Sequence, residues 1–390
     1  MALNIDPTRS RTKLKAGWNQ LEPAYAGGAL PVLSFFTGAG FLDLGFEAQG
    51  FEAIWHNEID PSFIEGFEFG VSRATGKKKK VENTHSIVDA APDLIFRQAF
   101  GERRTQTGPG PYGLIGGPPC PDFSVAGKNR GEYGKNGKLS GVYVKRILEL
   151  NPTFFVFENV KGLVSTVRHR EFLQRLINEL EESYRVDFSV LNALELGIPQ
   201  DRQRVFMVGF HEKWIKKKRL KIEKEQRGWF PWPVDQRYKG AKKRFDWPTK
   251  HPFGSSPEMP GGVPVELTVW SRLQDSKWLE SLPNGLEVFN AYSQKFLEIA
   301  EGDSSRKSFK RLHRWRYSPT AAYGNNEVHL HPTLPRRLTV REALRIQTAP
   351  DSYALPPGMT LTQKFKTIGN AVPVDLASAL AFAIRNFLEG

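Results

Sequence analysis

The sequence predicts an α/β protein: a mostly parallel sheet covered by helices on both faces and interrupted by a smaller basic domain. Three observations lead there. Short apolar runs alternate with helix-spaced patterns through the first half of the chain. Those runs are apolar at nearly every position, as strands buried on both faces are. From about residue 211 the alternation stops, and prolines, tryptophans and charges dominate until about 334. The parts expected are an N-terminal extension 1–30, an α/β domain 31–210, the inserted basic domain 211–334, and a C-terminal segment 335–390 that completes the first domain.

Each element has its own warrant. Val32-Leu33-Ser34-Phe35-Phe36 reads as a strand, followed by a glycine-punctuated turn and a helical pattern through Leu42, Leu44 and Phe46. Residues 51–55 form the next strand, and Pro61 suits the first turn of the helix after it. Tyr112-Gly113-Leu114-Ile115 is a buried strand. A helix over 142–150 stops at Asn151-Pro152, and strand 153–157 follows. Helix 171–182 and strands 185–191 and 205–210 complete the run, and helical periodicity returns at 339–346 and 371–387.

At 390 residues the chain can bury a large core, and 39% hydrophobic with 25% charged residues is ordinary for a globular protein. A net charge of +13 predicts a polyanionic partner. Lys216-Lys217-Lys218-Arg219 with Lys221, Lys224 and Arg227, then Lys239, Lys242, Lys243 and Arg244, form one basic stretch. Arg306, Lys307, Lys310, Arg311, Arg314 and Arg316 form another. Trp229, Trp232, Trp247 and Trp315 lie among them, a mixture suited to neutralising phosphates and stacking on bases. Lys77-Lys78-Lys79-Lys80 reads as a solvated loop. One cysteine excludes an intrachain disulfide and a cysteine-based zinc cluster, and fits a reducing cytoplasm. No run is expected to reach the about 18 apolar residues that cross a bilayer, and Met1–Asp6 carries no basic-then-apolar export pattern.

That cysteine, Cys120, follows a strand in Gly116-Gly117-Pro118-Pro119-Cys120, where two prolines stiffen the turn. A lone cysteine is usually a small buried hydrophobe, but the rigid strand-end turn makes Cys120 the candidate nucleophile. Phe36-Thr37-Gly38-Ala39-Gly40 lies between a strand and a helix, and Glu58 ends the next strand. Glycines admit a ligand close to backbone amides, and the acidic residue can accept ribose hydroxyls. The pair favours an adenosine-containing cofactor without separating NAD from S-adenosylmethionine; Asp43 stands where a dinucleotide fingerprint has its last glycine. Glu158 ends strand 153–157, where it either acts as a proton donor or caps the following helix. Gln200, Arg202 and Arg204 alternate onto one face, able to hold an anion, a carbonyl oxygen or the Glu158 carboxylate, or else to form a surface salt-bridge ladder.

In this order these motifs resemble the DNA (cytosine-5) methyltransferase family, of the prokaryotic modification type. Phe36-Thr37-Gly38-Ala39-Gly40 is similar to its cofactor loop, Pro118-Pro119-Cys120 to its nucleophile motif, Glu158-Asn159-Val160 to its acidic motif, and Gln200-Asp201-Arg202-Gln203-Arg204 to its arginine motif. Arg337–Glu342 and Gly369-Asn370-Ala371-Val372-Pro373 resemble its two C-terminal motifs, so the likeness spans roughly 30–390. It implies a Rossmann-like S-adenosylmethionine-dependent fold with an inserted target-recognition domain, and a base flipped out of the duplex. Cys120 would attack cytosine C6, Glu158 would protonate N3, and Arg204, supported by Arg202, would contact O2. Phe36, Gly38, Gly40, Glu58, Ile87, Pro119, Leu139 and Asn370 would line the pocket for S-adenosylmethionine, leaving S-adenosylhomocysteine as product. The loop bearing Lys128, Arg130, Lys135 and Lys138 would close over the base, hinged at Gly127, Gly131, Gly134 and Gly137.

The partners implied are double-stranded DNA and a cognate restriction endonuclease, with no metal and no membrane, for a monomer working in the cytoplasm at the nucleoid. The chain departs from the family at Phe41 in place of a glycine, which would narrow the cofactor loop, at Ser86 in place of an aspartate, and at Pro121 in place of a glutamine. Methylation of transfer RNA on the same fold, and a binding subunit without activity, are the competing readings. Arg272, Arg314, Arg316 and Asn325 are the candidate base contacts.

Overall fold

The computed structural model describes residues 28–102, 110–119, 137–306, 308–321, 323 and 327–390. Its first element is strand β1 (Leu30–Phe35), followed by helix α1 (Phe41–Glu47), β2 (Phe51–Asn57), α2 (Pro61–Thr75), α3 (Pro92–Phe100) and β3 (Gly113–Gly116). Then come α4 (Gly137–Leu150), β4 (Phe154–Val160), α5 (Val167–Leu180), β5 (Tyr184–Asn192), β6 (Gln203–His211) and α6 (Glu212–Lys217). Short helical turns occupy the middle of the chain, and α7 (Val340–Ile346), α8 (Leu361–Asn370) and α9 (Val374–Glu389) close it.

The strands form one six-stranded sheet in the order β2-β1-β3-β4-β6-β5. The first four run parallel, and β6 runs antiparallel to both neighbours. A parallel bridge from Asn57 to Asn83 extends the β2 edge. Reversal of β6 sets the geometry of the site, because it brings the start of β6 beside the end of β4: Val160 pairs with Arg204 and Phe154 with Phe210.

The unbroken apolar run of β4 follows from burial on both faces. Phe154 and Val156 point into one layer with Val32, Phe206 and Leu380 of α9. Phe155 and Phe157 point into the other with Leu33, Tyr143 of α4 and Leu176 of α5. All four side chains of this run are fully buried, each contributing about 1.5–3 kcal/mol over leaving it in water. A third core joins α2, α7 and α8 through Phe67, Leu344 and Phe365.

Three expectations need correction. Trp229 and Trp232 do not stand ready to stack on bases: both pack against the first core layer beside Phe230 and Phe387, and the Asp187 carboxylate accepts from the Gly228 and Phe230 amides and the Trp232 indole. The front of the basic stretch is therefore fastened to the sheet. Second, the helical span Leu361–Glu389 is long and apolar enough to cross a membrane, yet 83% of its most apolar window is buried within the fold. Leu376, Leu380 and Ile384 sit in the first core layer, so its apolarity serves packing. Third, Phe41 does not narrow the cofactor turn: its ring points into the third core, 5.2 Å from Tyr353.

Candidate active site

The turn after β1 is built from residues in left-handed backbone: Phe36 at φ 52°, Gly38 at 56° and Gly40 at 81°. The last two are glycines for different reasons. A Cβ on Gly38 would meet nothing within 4 Å, whereas one on Gly40 would sit 2.3 Å from Val71 Cγ2. Phe36 has no such freedom, and its conformation costs on the order of 1–3 kcal/mol. Its ring lies edge-on to Tyr143 at 6.0 Å. Thr37 anchors the turn: its amide donates to Asn57 O at 3.0 Å, and its hydroxyl lies 2.6 Å from Ser34 Oγ and donates to the buried Asp43 carboxylate at 3.1 and 3.2 Å. Asp43, in the fingerprint's last position, thus braces the turn from beneath.

Glu58, at the end of β2, faces this turn. Its Oε2 accepts from the Gly38 amide at 2.9 Å, and its Oε1 accepts from the amides of Ile59 and Asp60 at 2.8 and 2.9 Å. Burial pushes its carboxyl above the usual carboxylate range despite these three hydrogen bonds. Phe36 and Leu139 pack against the core layer that contains Ile87. Ser86 Oγ accepts from the Val88 amide at 3.2 Å.

At the end of β4, Arg204 Nε lies 3.0 Å from Glu158 Oε1. The Glu158 side chain is only 14% exposed, and burial raises its pKa against the opposing charges of Arg204 and Arg202. The chain leading out of β3 passes directly over this carboxylate: a Cβ on Gly117 would stand 2.7 Å from Glu158 Oε2. Asn159 fixes that passage, donating from Nδ2 to Pro118 O at 3.4 Å while its Oδ1 accepts from the Val160 amide at 2.8 Å. Cys120 and residues 121–136, with Pro121, Lys128, Arg130 and Lys135, lie outside the described residues.

Arg202 and Arg204 do different work. The Arg202 guanidinium is fully buried and donates to Ala321 O at 3.1 Å, Gly369 O at 2.8 Å and Ala371 O at 2.6 Å. Gln200 also serves the C-terminal segment, donating to Gln347 Oε1 at 3.1 Å and accepting from the Ala321 amide at 3.1 Å. Arg202 therefore grips the backbone on either side of Asn370, which is itself exposed at the end of α8. The strand-end motifs assign no role to Thr37, Asp43 or Asn159; a hydroxyl or amide beside a predicted turn was the available signal.

Among the candidate base contacts, Arg314 is already occupied, donating to both Glu301 carboxylate oxygens and to Ser255 O. Arg316 donates to Pro248 O at 3.4 Å, Arg272 lies 3.7 Å from Asp375, and Asn325 falls outside the described residues. A cavity of about 600 Å³ lies far from these groups, at the opposite edge of the sheet between Gly28, Phe51, Glu52 and Lys77.

The C-terminal edge of the sheet thus brings a glycine turn facing an acidic residue beside a buried carboxylate–arginine pair, an arrangement able to hold a ligand next to a group that can gain or lose a proton. The chain belongs to the C-5 cytosine-specific DNA methylases, whose family model matches residues 30–386. It is 44% identical over 369 residues to the type II methyltransferase M.NmeDI of Neisseria meningitidis serogroup C, covering 92% of this chain and 84% of that one. It is 32% identical to M.FnuDI of Fusobacterium nucleatum, covering 92% and 95%. Among solved structures, a DNA modification methyltransferase encoded within a prophage of E. coli superposes with a TM-score of 0.57 at 22% identity, over 93% of this chain and 100% of the other. The S. pombe Dnmt2 methyltransferase gives 0.57 at 13% identity over 92% and 99%; both share the fold. The protein is thus an enzyme that methylates cytosine C5 in DNA.

Proposed function

We propose that this methyltransferase modifies one cytosine within a specific duplex site as the protective half of a restriction–modification system, using Cys120 as nucleophile and Glu158 as acid. The pinning of Pro118 beside Glu158 carries this reading. Cys120 follows Gly117 by three residues, at most about 11 Å of chain, so its thiol is tethered close to a carboxyl that burial keeps protonatable. A base inside a duplex cannot enter this edge, so the cytosine is flipped out.

Attack of the Cys120 thiolate on C6 pushes electron density through the ring toward C5, and Glu158 delivers its proton to N3 to offset the charge. Arg204 holds the resulting carboxylate and reaches the base at O2, while Arg202 positions Arg204 and Asn370 through the C-terminal backbone. S-adenosylmethionine, as donor, supplies an electrophilic methyl group and leaves as S-adenosylhomocysteine. The Glu58 carboxylate suits its ribose hydroxyls, and the open space at Gly38 and the half-buried Phe36 ring suit the rest of the molecule. Ile87, Pro119, Leu139 and Asn370 complete that pocket, with Gly40 keeping the turn closed on α2. C5 takes the methyl group, its proton passes to water, and N3 returns its proton to Glu158 as the C6–S bond breaks, which frees the thiolate and restores the aromatic ring.

The target-recognition region, expected from composition at 211–334, is taken to begin near 233, since the residues before it pack on the sheet. The enzyme acts as a monomer, in the cytoplasm at the nucleoid, alongside a cognate endonuclease; the type II names of its relatives support that setting. The test is transfer of labelled methyl to mixed-sequence duplex DNA, with Cys120→Ala alongside. Label on cytosine C5 that disappears in the variant is expected. Full turnover by Cys120→Ala would overturn the nucleophile, and label on transfer RNA alone would overturn the substrate.

A further inference from the structure

The basic stretch after β6 lies at the wrong end of the sheet to serve the target duplex. Arg204 sits at the reacting edge beside Val160, and His211 sits at the opposite edge, where its amide donates to Thr153 O. Seven residues of strand, about 23 Å, separate them. Between 212 and 227 the chain carries eight cations against three carboxylates. Some of that charge is spent: Lys216 pairs with Glu212 at 2.7 Å and Arg227 with Glu181 at 2.7 Å. Lys213, Lys217, Arg219, Lys221 and Lys224 are all exposed, and among the described residues none of them forms an ion pair.

These five cations stand on a rigid base. Ile215 is buried in the first core layer, Leu220 and Ile222 pack against it, and Arg185 Nε donates to Ile222 O at 3.1 Å. Arg219 occupies left-handed backbone at φ 57° just past α6, where glycine or asparagine costs less. A mobile solvated tail would need neither the anchoring nor the strained arginine.

We propose that this edge is a second DNA-binding surface, which holds the phosphates of another duplex segment without reading sequence while the reacting edge holds the target site. Charge complementarity to the enzyme's own substrate identifies the occupant, and the roles given to Cys120 and Glu158 do not enter the argument. Such a surface raises the residence of the enzyme on long DNA and is idle on a short duplex.

The variant Lys217→Ala/Arg219→Asn/Lys221→Ala/Lys224→Ala tests it on two substrates carrying the same single site, a short oligonucleotide duplex and a long linear duplex. On the short duplex, kcat/KM and affinity should match the unsubstituted enzyme. On the long duplex, affinity should fall roughly tenfold at low salt, and the slope of log K against log salt should become shallower by about 3–4, near 0.9 for each phosphate no longer neutralised. Lys217→Arg/Lys221→Arg/Lys224→Arg should behave as the unsubstituted enzyme on both. No change on the long duplex would make the edge a solvated face. An equal loss on both substrates would mean that it touches the target duplex itself. Either result overturns the proposal, and turnover on the short duplex reads the chemistry separately.

Discussion

Glu158 carries two opposed influences: burial favours its neutral form, and Arg204 at 3.0 Å favours its charged form. An acid needs the proton, so methyl transfer should decline as pH rises through the raised Glu158 pKa. Arg204→Ala removes the influence that lowers it, and the alkaline limb should move to higher pH even as the rate falls. Single-turnover rates across pH would check this, and a limb that stays in place would assign the titration to another group. Glu158→Gln should slow single-turnover methylation by about 10²–10⁴-fold while leaving cofactor affinity within a factor of about two. An unchanged rate would remove Glu158 from the chemistry.

At the scale of elements, the two turn glycines separate stability from binding. Gly40→Ala forces a Cβ to 2.3 Å from Val71 at positive φ and should cost roughly 1–3 kcal/mol, read as a fall in Tm. Gly38→Ala meets open space but carries the backbone strain of φ 56°, about 1–2 kcal/mol, so it should lower Tm less than Gly40→Ala while raising KM for S-adenosylmethionine. An unchanged KM in Gly38→Ala would mean that the open space is not a binding cleft. Asn159→Ala should release the Pro118 carbonyl and lower kcat without changing cofactor affinity; equal losses in both would make Asn159 a general support.

These elements also mark where the sequence is readable. The central strands were legible because burial on both faces leaves uninterrupted apolar runs, as in Phe154-Phe155-Val156-Phe157, whereas the edge strand β5 carries Arg185, Asp187 and Ser189 between its apolar residues and shows no such run. Glu158 and Arg204 were legible as polar residues at the ends of such runs. Helix α8 was not, because its amphipathic pattern follows a proline-rich loop and its partner face lies on α7 and α2. Nor was the task of Arg202, whose carbonyl partners are 119 to 169 residues away and carry no side-chain signature. The tryptophans misled for a related reason: mixed with lysines in sequence they suggest a nucleic-acid surface, whereas the fold turns the rings inward and the charges outward.

Across the whole molecule, acid should be the more damaging direction. Burial holds His313 down to about 4, His329 to about 3 and His331 to about 4. Below about 6.5 the unfolded chain takes up protons at these positions that the native protein refuses. Their contribution to stability is therefore present above that pH and is lost as pH falls toward 4. Glu58 and Glu158, raised instead, contribute in the opposite sense, losing stability as pH rises through their folded values. Unfolding free energy measured between pH 7 and 4 should fall with a slope of up to about 4 kcal/mol per pH unit, and His329→Asn should flatten it. A flat profile would mean that these histidines titrate freely.

The Arg202 clasp also governs when the enzyme can begin to work. A ribosome adds about 5–20 residues per second, and Gly369 follows Arg202 by 167 residues, so the arginine waits roughly 8–33 s for its carbonyl partners. Through that interval the groups proposed as nucleophile, acid and cofactor turn have all been synthesised, and Ala321 has reached Arg202, but the carbonyls of Gly369 and Ala371 have not. A message cut short before residue 369 therefore yields a protein that carries the proposed nucleophile and acid but lacks the clasp between Arg202 and the C-terminal backbone.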